Sequence, residues 1–172
     1  NKLNLNSNVG IGHTRWATHG KPTIENAHPH LSENGKFAIV HNGIIENYIP
    51  LKEELLSAGF KFKSDTDTEV VANLLEYYYK GNFFETVKKV LSVVEGSYGI
   101  AIMCSDFPSE LIVAKQDSPL IIGLGKGENF IASDISAIVD KTRDMVRLCD
   151  GELAVITPNS IEYFDKKFSK IS

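Results

Sequence analysis

Three short stretches of this 172-residue chain carry side chains that could act on a small polar molecule. The first is Gly10 to Gly20, GIGHTRWATHG, where His13, Thr14, Arg15, Trp16, Thr18 and His19 crowd together. Arg15 presents a planar fork of donors suited to a carboxylate or a phosphate. Trp16 offers a flat wall with one N–H, and Thr18 and His19 offer donors and acceptors at short reach. The second stretch is His41–Asn42–Gly43. A backbone N–H at Gly43 beside the Asn42 amide makes a two-donor site for negative charge. The third is Ser64 to Glu69, SDTDTE, in which Asp67 can hold an ammonium group. Each stretch also has a plainer reading. Arg15 and Trp16 can be a surface ion pair and a core ring at a strand end, and Asn42–Gly43 an ordinary turn. Asp67 can simply complement a helix dipole, worth about 0.3–1 kcal/mol.

The elements that must position these residues follow from pattern. Val9–Gly10–Ile11–Gly12 reads as a buried strand whose far end delivers Arg15 to His19 at a sheet edge. Lys21 to Asn34 is an ordered loop closing in a turn at Asn34–Gly35. Phe37 to Val40 is a short strand ending at His41–Asn42–Gly43. A helix is expected next, capped by Asn47, with Pro50 in its first turn, Gly59 after its end and Ile49, Leu51, Leu55 and Leu56 on its apolar side. That order puts Asn42–Gly43 at a strand-to-helix turn, where oriented N–H groups favour negative charge.

Phe60 to Lys63 alternates like a brief strand. Thr66 and Glu69 have capping-box spacing for a helix running to about Lys80, and Asn82 and Glu85 open another that ends at Gly96. Strands are expected over Tyr98 to Cys104, Leu111 to Lys115, Leu120 to Ile122, Asn129 to Ala132 and Ile161 to Phe164. The glycine-rich Gly123 to Gly127 lacks phosphate-loop spacing and reads as a hairpin link. Asp134 caps a short helix to about Asp140, and Val146 to Leu148 pairs with Leu153 to Ile156 across Asp150–Gly151. Strands in series with grouped helices give an α+β fold of one domain, residues 1–172, with stacked sheets and outer helices.

Composition narrows the function classes. A formal charge of −4 and no Lys/Arg run argue against nucleic acid. No stretch is apolar enough to span a bilayer, and Asn1 to Asn8 has no signal-peptide core. Cys104 and Cys149, far apart and flanked by apolar residues, read as free buried thiols of a cytoplasmic protein. All histidines fall at His13, His19, His28, His30 and His41, which invites a metal reading. No cysteine joins them and no H-x-x-x-H helix exists, so no metal and no cofactor are expected.

HTRWATHG, Asn26 to His30 (NAHPH), His41 to Asn47 (HNGIIEN), Ser64 to Glu69 (SDTDTE) and Ser118 to Asp134 (SPLIIGLGKGENFIASD) occur in one chain and in this order. Together they resemble the glutaminase domain of the glutamine–fructose-6-phosphate aminotransferases, class II amidotransferases of the Ntn type, over essentially everything from Val9 onward. The resemblance implies an Ntn-hydrolase-like four-layer α-β-β-α sandwich. It implies L-glutamine as substrate, with Arg15 on its α-carboxylate and Asp67 on its α-ammonium. Trp16, Thr18 and His19 would line the pocket, and Asn42 and Gly43 would form the oxyanion hole. It further implies a sugar isomerase domain in the same full-length chain and a homodimer. His28 belongs to the motif, but its chemistry assigns it no role.

The family's nucleophile is a cysteine at the first residue, whose own α-amine serves as base. Residue 1 here is Asn1 and no cysteine precedes Cys104. Cys104 lies in an apolar strand, which raises a thiol pKa, and Cys149 adjoins Asp150, which disfavours a thiolate. The expectation is a fragment, incomplete at its N-terminus, that holds the specificity pocket but is inactive alone. The alternative is a glutamine-binding or regulatory module that has no nucleophile.

Overall fold

The computed structural model describes residues 7–14 and 23–171. Its centre is a seven-stranded antiparallel sheet whose strands run, edge to edge, over residues 30–31, 37–45, 96–104, 111–116, 153–156, 161–164 and 170–171. The two long central strands are β2 (Phe37–Ile45) and β3 (Gly96–Cys104). On one side of them lies β1 (His30–Leu31). On the other lie β4 (Leu111–Gln116), β8 (Leu153–Ile156), β9 (Ile161–Phe164) and β10 (Lys170–Ile171). A second sheet of three strands, β6-β5-β7, comprises β5 (Ile121–Leu124), β6 (Asn129–Ala132) and β7 (Met145–Arg147).

Side-chain alternation along β2 and β3 sorts the core into two layers. Phe37, Ile39, Ile45, Ile100 and Ile102 face the helices and are at most 2% exposed. There they meet α1 (Tyr48–Ser57), α2 (Asp67–Tyr78) and α3 (Phe83–Leu91). Val40, Ala101, Val113 and Ala154 face the other way and pack on Leu120 and Ile122, closing the space between the sheets. Gly123, one residue on, faces outward beneath Ile138 and Thr142. The segment after the 3₁₀ turn Ile135–Ala137 therefore covers the small sheet's outer side.

Several elements differ from the pattern reading. Residues 7–14 form no strand, although Val9 and Ile11 do pack on the inter-sheet core; glycine at alternate positions weakens extended pairing. Strand β2 does not stop at His41 but continues to Ile45, so Asn42–Gly43 lies inside the ladder, Asn42 opposite Gly99 and Gly43 opposite Tyr98. Asn47 makes no cap bond. Its amide instead spans Val93 O and Glu95 N at 2.8 and 2.9 Å, tying the start of α1 to the approach to β3. On α1, Leu51 and Leu55 are buried, whereas Ile49 and Leu56 are exposed.

Phe60 to Lys63 is not a strand, because side-chain carboxylates take its backbone donors: Lys61 N donates to Glu33 and Lys63 N to Glu69. Helix α2 ends at Tyr78 and α3 at Leu91, leaving Gly96 to open β3. The helix expected after Asp134 is one 3₁₀ turn. β7 and β8 do not form a hairpin; they belong to different sheets, and Asp150–Gly151 sits in the crossover between them. That crossover is fastened by Gly151 N to Lys115 O at 2.8 Å and by a Lys115–Asp150 ion pair.

Candidate active site

Strand β2 supplies neighbouring residues to opposite layers. His41 turns toward α2 and is buried, and Asn42 turns toward the space between the sheets. Burial pushes the His41 imidazole pKa down, against the opposing pull of the Asp67 charge. A neutral ring has one N–H, and Ser97 O at 3.3 Å from Nε2 can only accept. Nε2 therefore carries the proton, and Nδ1 accepts from the Thr68 hydroxyl at 2.9 Å. The Thr68 hydroxyl proton is shared between His41 Nδ1 at 2.9 Å and, at 3.4 Å, Asp67 Oδ1. His28 Nε2, 3.2 Å from Thr68 Oγ1, thus meets an oxygen whose proton is taken and donates to it. His30 Nε2 meets Thr66 Oγ1 at 3.0 Å. The His28 ring stands 4.8 Å from that of His30 and 4.4 Å from that of His13. His13 Nε2 in turn lies 2.8 Å from Asn42 Oδ1. Four histidines thus run from the first turn of α2 to the Asn42 amide.

The same turn carries the acidic residues. Thr66 caps α2 by accepting from Glu69 N at 3.3 Å. The Glu69 carboxylate does not return to the cap residue, as a capping box would have it. It accepts from Lys63 N, Ser64 N and Ser64 Oγ at 2.9, 2.7 and 2.6 Å, folding the preceding loop onto the helix. Asp67 is buried at the positive end of α2, and its Oδ2 accepts from Ile45 N at 2.7 Å. One carboxylate therefore fixes the end of β2 while keeping oxygen lone pairs for a further donor.

Two glycines let the strands cross closely beside Asn42. Gly43 has φ +125°, and a Cβ there would stand 2.2 Å from Ser97 O. Gly96 has φ +124°, and a Cβ there would stand 2.2 Å from Ile44 O. The two positions clasp the Ile44–Ser97 pair from either side. Beyond Asn42 opens an inter-sheet cavity of about 410 Å³ lined by Gly12, His13, His41, Asn42, Gly99 and Ser133 among others. A buried wall with a few polar groups suits a small polar ligand.

Asn42, Gly43 and Asp67 are thus brought together around one end of β2. Arg15, Trp16, Thr18 and His19 lie outside the described residues. Sequence reasoning missed His13 as a partner of Asn42 and Thr68 as the hydroxyl shared by His28 and His41. Both sit inside motifs that carry the resemblance, but the contacts span 27 to 40 residues and leave no local pattern. Cys104 is buried on the helix side of β3, as expected, with its thiol pKa pushed up by burial; Cys149, also expected to be buried, is instead exposed in the crossover after β7. Cys104 pairs with Phe37, five residues along β2 from Asn42, so about 17 Å of strand separates it from that amide.

Residues 13–140 match the model of a glutamine amidotransferase domain. The glutamine–fructose-6-phosphate aminotransferase of Caldanaerobacter subterraneus is 55% identical over 161 residues, 94% of this chain and 26% of that protein. That of Aquifex aeolicus is 53% identical over 164 residues, 95% of this chain and 28% of that protein. The chain thus spans about a quarter of the length of these relatives. Among solved structures, the glutamine phosphoribosylpyrophosphate amidotransferase of B. subtilis superposes with a TM-score of 0.75 at 29% identity, over 92% of this chain and 35% of that one.

Proposed function

The chain belongs to the glutamine amidotransferase domain family, and from that premise we propose that it hydrolyses L-glutamine within a longer glutamine–fructose-6-phosphate aminotransferase. The observation that carries the reading is the end of β2. Asn42 lines the inter-sheet cavity, Gly43 follows it, and Asp67 binds the same strand at Ile45 N. The ladder bond Glu46 N to Glu95 O fixes the alternation of β2, by which Gly43 and Ile45 turn their N–H groups away from β3. In this reading the Gly43 N–H shares the strand edge at which Asp67 holds Ile45 N.

In this proposal Asp67 holds the substrate α-ammonium and Arg15 its α-carboxylate. Trp16, Thr18 and His19 enclose the chain between them. The side-chain carbonyl carbon of glutamine is attacked by a thiol, and the carbonyl oxygen becomes an anion. Asn42 Nδ2 and Gly43 N donate to it, which matters most in the transition state. As the anion collapses, the C–N bond breaks, the leaving nitrogen takes the thiol's proton, and a thioester remains. Water hydrolyses that thioester to glutamate and the free thiol. The ammonia leaves past Trp16 to a sugar isomerase domain of the same chain, where fructose 6-phosphate becomes glucosamine 6-phosphate. The attacking thiol is neither Cys104, about 17 Å of strand away on the wrong face, nor Cys149 in the crossover. The long protein works as a homodimer in the cytoplasm. Among the described residues no helix is long and apolar enough to cross a membrane.

Glutaminase kinetics on the full-length protein test the reading. Asn42→Ala is expected to lower kcat by about 10²- to 10³-fold with little change in KM. Arg15→Lys keeps the charge but loses the bidentate fork, and should cost about 1.5–3 kcal/mol in kcat/KM. Wild-type kcat in the Asn42 variant would remove it from the oxyanion site.

A further inference from the structure

We propose that His13 is a positioning residue that sets which end of the Asn42 amide faces the reacting carbonyl; this rests on the function proposed above. A side-chain amide has a donor end and an acceptor end of nearly equal shape, and only the donor end stabilises an oxyanion. His13 Nε2 stands 2.8 Å from Asn42 Oδ1. An N–H there holds the oxygen on the His13 side and turns both Nδ2 donors into the cavity that the two residues line. A rotation by half a turn would set Nδ2–H against the His13 N–H and aim Oδ1 at the developing anion, which is repulsive on both sides.

His13 is itself placed by stacking. Its ring lies 4.4 Å from that of His28, tilted by 31°. His28 is oriented by its bond to Thr68, whose hydroxyl proton goes to the neutral His41. The order of protons that begins at buried His41 is thereby passed to His28, whose ring braces His13 against the amide. Asp67 Oδ1, 3.4 Å from the Thr68 hydroxyl, is a more distant second acceptor for the proton that His41 Nδ1 takes at 2.9 Å, and the pull of its charge on His41 is opposed by burial.

The test uses glutaminase kinetics of the full-length protein with glutamine. His13→Leu should lower kcat about 10- to 100-fold and leave KM within about twofold, because ground-state binding does not need the amide's orientation. Asn42→Ala should cost more, and the double variant no more than Asn42→Ala alone. His13→Gln places an amide N–H near the position of Nε2 and should restore most of kcat, whereas His13→Asn falls one methylene short and should not. If the leucine variant fails to fold, the Gln and Asn pair carries the comparison, and equal rates for the two overturn the inference. Wild-type kcat in His13→Leu, or additive losses in the double variant, overturn it as well. If Asn42→Ala is itself fully active, the proposed function fails first. If Asn42→Ala is slow while His13→Leu is normal, only the orienting role is lost.

Discussion

Replacing Gly43 by alanine should damage the fold through two separable effects. At φ +125° an L residue is strained by about 1–3 kcal/mol. The new Cβ would also stand 2.2 Å from Ser97 O and 2.7 Å from Ser97 C, so β2 and β3 must part by roughly 1 Å to restore contact distance. Parting them at that point puts the Ile44 N to Ser97 Oγ bond at risk, worth about 0.5–1.5 kcal/mol. The sum is about 1.5–4.5 kcal/mol, or a fall in Tm of about 3–18 °C for a domain of this size. Gly35 supplies the comparison, with φ +76° and no atom within 4 Å of where a methyl group would stand. Gly35→Ala should show the backbone cost alone, about 1–2 kcal/mol. Thermal unfolding of the full-length protein, followed by a probe in this domain, measures both. Equal melting shifts for the two variants would refute the steric half of the reasoning. No shift in either would refute the backbone half.

Asp67→Asn keeps an oxygen for Ile45 N but removes the charge, so KM for glutamine should rise by about 1.5–3 kcal/mol in binding while Tm moves little; steady-state kinetics beside thermal melts check this. Glu69→Ala strips the acceptor from Lys63 N, Ser64 N and Ser64 Oγ and should destabilise by about 2–4 kcal/mol in the same melts. Burial holds the His41 pKa below its ordinary value, so its contribution to stability is full above about pH 6.5 and is lost as the pH falls through that value toward the folded pKa. Melts across that window should give His41→Gln a shallower loss than wild type, although it starts lower. A polypeptide of residues 1–172 made by itself should release no ammonia from glutamine; turnover that survives Cys104→Ser with Cys149→Ser would exclude attack by a thiol.

Local chemistry made part of the fold legible. The Thr66 cap and the core stripe of α2 are short-range features, and β3 and β4 are continuous apolar runs. The readings that failed depend on partners distant in sequence. An Asn–Gly pair looks the same in a turn as in a strand whose neighbour presses on the glycine, and only Ser97 distinguishes them. Phe60 to Lys63 has strand alternation, yet carboxylates from Glu33 and Glu69 intercept its backbone. β7 and β8 look like a hairpin because Asp150–Gly151 suits a turn, but Val146 pairs with Ile122 in one sheet and Leu153 with Ala114 in the other. At the site, the residue types alone raised the roles proposed above for Asn42, Gly43 and Asp67: neutral donors beside one another, and a carboxylate at a helix start. The histidine chain behind them joins residues whose separation leaves no trace in spacing.

The opposed directions of His41 and Asn42 constrain how genes for this domain can change in length. Substitutions along β2 alter one contact at a time. Inserting or deleting a single codon between Phe37 and Asn42 would exchange the two faces of everything downstream, unless the whole ladder slipped to compensate. The imidazole would then enter the cavity and the amide would be stranded among the helices, while Gly43 would leave its place opposite Tyr98. Length variation among descendants of this domain should therefore collect where no pleat is counted, as at the exposed Gly125–Glu128 tip. From Phe37 to Ile45 the number of residues should stay fixed even where their identities drift.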